Sequence, residues 1–145
     1  MNPWIHSWEN AIQKVDPYEV LRLVLIAHHT DIIELNQEQL DKGLKSDVSQ
    51  LKPYTSPYAK KRKKWGLKTS PTDFKVTGEF QDDMYANSLK YETIVGSRDF
   101  KTKYLENRDS NKIFALTKEN IDKLLWEKGV ADDFASLYTK TLLSL

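Results

Sequence analysis

Three groups of residues in this 145-residue chain have types and spacings that could do chemistry. The first is Tyr58-Ala-Lys-Lys-Arg-Lys-Lys-Trp65, in which Lys60, Lys61, Arg62, Lys63 and Lys64 stand between two aromatic rings. Cations that neutralise phosphates, flanked by rings that stack on bases, suit single-stranded nucleic acid. Five consecutive helical residues point all the way round the axis, however. The run therefore reads equally as a solvated or subunit-pairing helix whose lysine stems cover apolar surface. The second group is His28-His29 with Asp31 and Glu34. Adjacent helical residues diverge by about 100°, so the two imidazoles do not converge on one ion. No HExxH spacing is present either, and His28 reads as a hydrogen-bonded core histidine. The third group is the acid pairs Asp82-Asp83 and Asp132-Asp133, both placed where helix starts favour negative charge. The chain has no cysteine, no glycine-rich phosphate loop and no nucleophile elbow. The expectation is a protein that is not an enzyme and holds neither metal nor cofactor.

Lysine plus arginine (22) and aspartate plus glutamate (21) nearly cancel, leaving a net charge of +1. A chain that coats DNA carries an overall basic excess, so any phosphate contact here has to be local. The length suits one domain with one body of core. The longest apolar run, residues 23–27, is far short of a membrane span. The first nine residues show neither the basic nor the apolar region of a signal peptide, so synthesis in a cytoplasm is expected.

The elements that must position these groups follow from caps and periodicity. Asn2-Pro3 and Asp16-Pro17 each place a capping side chain before a proline at the first helical position. In the first helix Trp4, Trp8, Ala11, Ile12 and Val15 make an apolar ridge. It is either packed on the body of the fold or an arm that docks on a neighbouring subunit. The second helix is expected to run to about Leu35. Val20, Leu21, Val24, Leu25, Ile32 and Leu35 form one stripe on it, and Leu23, Ile26 and Ile33 a second, nearly opposite strip. Such a helix needs two partners: the domain's own sheet, and another helix or subunit. Thr55 or Ser56 before Pro57 opens the basic helix, and Gly66 ends it. Residues 74–76 are expected to be a short strand, antiparallel to two more near 84–89 and 91–96. Asp99 caps a short helix, residues 107–111 form a loop, and Ile113-Phe-Ala-Leu116 is an apolar plug. Thr117 then opens a helix stopped at Gly129, and a last amphipathic helix carries Phe134, Leu137 and Tyr138. The expected fold is α+β, one domain over residues 1–145. It comprises an arm helix (1–15), a core (16–116) with a long N-terminal helix on a small antiparallel sheet, and C-terminal helices (117–145).

From residue 52 onward the order of these features resembles the tail-completion or virion-morphogenesis proteins of tailed bacteriophages, which join head to tail. The shared features begin with a Thr/Ser-rich start and a basic helix closed by glycine, and continue with Phe74-Lys-Val-Thr-Gly-Glu-Phe80. A β-hairpin follows, then the Ile113-Phe-Ala-Leu116 plug and the Thr117-capped helix. The flavour is closest to versions from Bacteroidetes phages and prophages. Asp83-Met84 departs from the family's usual small serine–apolar pair, and Lys103-Tyr-Leu-Glu106 fills a segment that often carries glycine in the family. The resemblance implies a non-catalytic structural virion protein at the neck, a homo-oligomeric ring of sixfold or twelvefold symmetry. The ring would sit between portal or adaptor and tail proteins, with DNA in its lumen and no membrane contact. On that reading Trp4, Trp8, Leu23, Ile26, Ile33, Phe134, Leu137 and Tyr138 are candidate subunit-interface residues. Tyr58, Lys60, Lys61, Arg62, Lys63, Lys64 and Trp65 are candidate DNA, lumen or subunit contacts. Thr77, Gly78, Phe80, Ile113, Phe114 and Leu116 are structural motif residues. The alternative is a nucleic-acid-binding module that uses the basic helix.

Overall fold

The structure, a computed structural model, describes residues 2–145; Met1, the first residue of the expected arm, lies outside the described residues. Asn2 Oδ1 accepts the Trp4 N–H at 3.0 Å and so caps α1 (Pro3–Lys14). Asp16 Oδ1 does the same for Tyr18 at 3.0 Å and caps α2 (Pro17–Ala27). Each cap satisfies one of the donors that a helix start leaves unpaired.

The expected long helix is instead two shorter ones. His28 leaves helical geometry at φ −104° and ψ 15°, and α3 (His29–Asp41) begins after it. The backbone ladder nearly survives. His28 N–H still donates to Val24 and Leu25, and Ile32 N–H donates to the His28 carbonyl, so the break is a bend. It falls where a polar ring interrupts the apolar stripe and is held by acids from two helices, as described below. At the far end of α3, Gly43 has φ 71°, and a Cβ there would lie 2.5 Å from Pro71 Cβ. Only glycine meets both conditions.

After an irregular hairpin, whose Leu44 and Gln50 form an isolated antiparallel bridge, comes α4 (Ser56–Lys64). Residues 74–76 form no strand, contrary to the periodicity. Phe74 sits at φ 59°, in the left-handed region, and this turns the chain where an extended run would have to continue. Gly78, at φ 92°, then opens the single turn α5 (Glu79–Asp82). The sheet is the hairpin of β1 (Met84–Ser88) and β2 (Thr93–Ser97), paired antiparallel from Met84 with Ser97 to Ser88 with Thr93. The helix α6 (Thr102–Asp109) takes in Asn107, Arg108 and Asp109, which the sequence reading had placed in a loop. A 3₁₀ turn at Asn111–Phe114 leads to α7 (Lys118–Asp122), capped by the Thr117 hydroxyl. A π turn at Lys123–Glu127 and Gly129 precede α8 (Val130–Leu143). The fold is α+β, as expected.

Apolar burial divides into two clusters. Leu40, Leu51, Phe74, Phe80, Met84, Leu105, Ile113 and Phe114 form one; Val24, Ile32, Leu35, Leu124 and Val130 form the other. Helix α3 serves both, and between its two apolar contributions it carries buried amides. Asn36 Nδ2 donates to the Ile113 carbonyl (3.0 Å), and Gln39 Nε2 donates to the Ala115 carbonyl (2.8 Å). Gln39 Oε1 accepts the Thr117 N–H (2.9 Å), while Asn120 Nδ2 donates to the Leu35 carbonyl (3.1 Å). The plug at residues 113–117 is thus stitched to α3 through its backbone as well as packed by Ile113 and Phe114. Buried polar groups cost stability unless paired, and these are paired except for Asn36 Oδ1.

Candidate functional site

The basic helix is not uniformly solvated. Arg62 is 1% exposed, while Lys60, Lys61, Lys63 and Lys64 all face water. Arg62 lies one helical turn beyond Tyr58 and on the same side, which points it inward. Its Nε donates to the Lys68 carbonyl and its Nη1 to the Lys75 carbonyl, both at 2.7 Å; its Nη2 donates to Asp73 Oδ1 at 3.1 Å. The guanidinium carbon lies over the Tyr54 ring, 4.3 Å from its centroid. This arrangement uses the geometry that separates arginine from lysine: a planar fork with a face that stacks. Arg62 therefore serves the fold, and the exposed charge of the run belongs to the lysines around it.

Asp73 and Tyr54 complete the arrangement. The Tyr54 hydroxyl donates to Asp73 Oδ1 (3.0 Å) and accepts the N–H groups of Asp73 and Phe74 (both 3.2 Å). Burial pushes the Tyr54 hydroxyl above its ordinary pKa, which keeps it a donor. Gln81 Nε2 holds the Asp73 carbonyl at 3.0 Å. These bonds fix Phe74 in a backbone region that a bulky residue rarely occupies.

In front of this cluster lies a cavity of about 470 Å³ between α4, the 74–80 segment and α6. Rings line much of it: Tyr54, Tyr58, Phe74, Phe80 and Tyr104. Its charged lining residues are Arg62, Lys101 and Arg108, with no carboxylate among the lining residues. Arg108 is held at the mouth by the Lys52 and Pro53 carbonyls, with Asp109 3.5 Å from its Nε. Tyr54, Tyr58 and Trp65 form a ladder of edge-to-face rings, with centroids 5.3 and 6.4 Å apart. A cavity with aromatic walls and cationic groups accepts a planar anionic ligand; no nucleophile with an adjacent base lies in it.

The other singled-out residues separate into exposed and internal sets. Trp4 (77% exposed), Trp8 (47%), Leu23 and Ile26 face solvent. Ile33 packs half-buried on the first apolar cluster, and Phe134 and Leu137 pack half-buried on the second. Tyr138 is half-buried and stacks on Phe134 at 5.7 Å. Phe80, Ile113 and Phe114 are core, Leu116 packs on the second cluster, and Gly78 and Thr77 form the turn before α5.

The two histidines diverge as helical geometry requires. The His28 ring is buried, with Nδ1 2.8 Å from Asp31 Oδ2 and Nε2 2.6 Å from Asp133 Oδ2. Burial alone would lower its pKa, but the carboxylates of Asp133 and Asp31 outweigh it and raise the pKa. A carboxylate at each nitrogen favours the protonated ring, the form in which both nitrogens donate. His29 turns to the hairpin, its Nε2 2.8 Å from Ser88 Oγ, and burial lowers its pKa. Among the described residues no group of three or more His, Cys, Asp or Glu side chains could hold a metal ion, and no helix is long and apolar enough to cross a membrane.

The sequence reading missed Tyr54, Asp73, Lys101, Tyr104 and Arg108. One signal was available: Tyr54, Tyr58 and Arg62 recur every four residues, a spacing that singles out Arg62 from its charged neighbours. Nothing local brings residues 101–108 to that stripe. No protein-family model, curated protein or solved structure matches the chain.

Proposed function

We propose that the protein is a non-catalytic structural subunit of a phage head–tail junction, assembling with copies of itself into a ring between portal or adaptor and tail. The order of motifs from residue 52 onward supports the phage assignment. The assembly role rests chiefly on α1. This 12-residue helix is capped and complete, yet none of its residues is buried, and Trp4, Ile5, Trp8 and Ile12 all face water. A contiguous apolar ridge of this kind is the mark of a surface that a partner covers. A second exposed apolar strip, Leu23 and Ile26, lies on another helix, α2. Apolar strips on two helices supply surface for the head-to-tail contacts that close into rings. The test is electron microscopy of particles from the phage or induced prophage that encodes the chain, with antibody labelling. Copies at the neck are the expected result; particles complete with tails and no copies there would end the proposal.

A further inference from the structure

We propose that the cavity walled by Tyr54, Tyr58, Phe74 and Tyr104 is a binding site for a nucleotide of single-stranded nucleic acid. The base would enter among the rings, and the phosphate would meet Lys101 and Arg108. Four observations carry this. The volume, about 470 Å³, falls in the range of small-molecule sites. Its charged lining is entirely cationic; Asp73 and Asp109, which pair with Arg62 and Arg108, do not line it. Phe74 is held at φ 59° in its wall by its N–H donating to the Tyr54 hydroxyl and by Gln81 Nε2 donating to the preceding Asp73 carbonyl, and strained backbone that the surroundings over-determine is concentrated at binding sites. Finally, α4 continues the site outward: Tyr58 leads by ring contact to exposed Trp65, and exposed Lys61, one turn from each, lies on that same face of the helix. A ladder of rings flanked by Lys61, Lys101 and Arg108 matches a base–phosphate polymer better than a single acidic side chain on a partner protein. A base inside a duplex is stacked and paired and does not enter such a cavity, so the site discriminates strand from duplex. The inference is independent of the neck assignment, because it concerns one chain and one ligand.

The experiment is fluorescence anisotropy of the full chain with a labelled short oligothymidylate, repeated with the annealed duplex. Competition by thymidine monophosphate and by an acidic peptide containing tryptophan completes the set. The strand is expected to bind with steep salt dependence and more tightly than the duplex. Y104A combined with K101Q, at positions outside the two apolar clusters, is expected to weaken binding about tenfold, in the range of one lost aromatic platform. Competition by the monophosphate would assign the site to free nucleotides as well as strands; its failure alongside strand binding would assign it to strands. Equal binding of strand and duplex overturns the proposal. So does unchanged affinity in the double variant, absence of strand binding, or stronger binding of the peptide.

Discussion

Helix α4 carries five cations in nine residues, yet supplies Arg62, the largest fully buried side chain among the described residues. Helix α1 carries two tryptophans and two isoleucines in twelve residues and buries none of them. Residue polarity alone would assign the two helices the opposite way. What decides is the set of partners each side chain meets. Arg62 finds two carbonyls and a carboxylate in the 68–75 segment and a ring face at Tyr54, ahead of its own helix, so its charge is compensated. The α1 ridge meets nothing of comparable extent, because Val15 and Asp16 lead directly into α2 and α1 is left on the outside. The most polar helix is fastened by its charge, and the most amphipathic one remains available to something else.

The sharpest way to break this contrast is at Arg62. Arg62→Ala leaves the buried Asp73 carboxylate with only the more exposed Lys68, 3.6 Å away, as a cation, and leaves two carbonyls without donors; it is expected to cost about 3 kcal/mol, the lower end for breaking a buried pair. Arg62→Lys should recover little, because an ammonium neither forks to two carbonyls nor stacks flat on Tyr54. Lys61→Ala, one residue away, should stay within about 0.5 kcal/mol. Urea unfolding of the three variants measures all of this, and similar losses at positions 61 and 62 would show that Arg62 is not the fastening.

A neutral fastening joins α3 to the backbone at residues 115–117. Gln39→Ala removes both the donor to Ala115 and the acceptor for Thr117, and the Thr117 N–H stays buried. The expected loss is about 1–3 kcal/mol, below that at Arg62 because no charge is stranded. A loss at Gln39 equal to that at Arg62 would mean that the charge of Arg62 is incidental and its hydrogen bonds are everything.

Much of this was readable in advance. The caps at Asn2, Asp16 and Thr117, the glycine stops, the hairpin and the apolar plug at 113–116 are local chemistry, written in adjacent residues. Three things were not. The bend at His28 depends on Asp133, over a hundred residues away. The loss of the strand at 74–76 depends on Tyr54 and Gln81, which hold Phe74 where its own preferences would not put it. The cavity depends on α6 being laid against α4, and no spacing within either helix records that. Local periodicity located the apolar faces but did not say which would be covered, so Ile33 and Leu137 turned inward while Leu23 and Ile26 did not.

The His28 contact is a third fastening, intermediate in kind because its charge is conditional. Its pKa is raised in the folded protein, so the imidazolium binds its proton more tightly there than in the unfolded chain. The stabilisation is therefore complete below the unfolded value of about 6.5 and is lost as pH rises through the higher folded value. Wild type should lose its advantage over His28→Gln as pH rises past about 6.5 and through the higher folded value, while NMR of the ring shows the matching titration. An advantage that grows with pH would mean that the neutral ring is the one bound.

The smallest expected effect on stability is at α1, and it tests the contrast most directly. Removing residues 2–14 takes away two tryptophans, a change that in a core would cost several kcal/mol per residue. Here it deletes surface that is already in water and leaves buried Val15 in place. The stability of the remaining chain should therefore stay within about 0.5 kcal/mol, measured by urea unfolding under conditions where the chain is monomeric. The same truncation should abolish ring formation on partner proteins, followed by mass photometry, because it removes the ridge that the proposed subunit contact requires. If the truncated chain is markedly less stable, α1 folds back on the body and is no arm. If it is equally stable and still assembles, the ridge is free surface and the contact lies elsewhere, with the Leu23 and Ile26 strip as the next position to substitute.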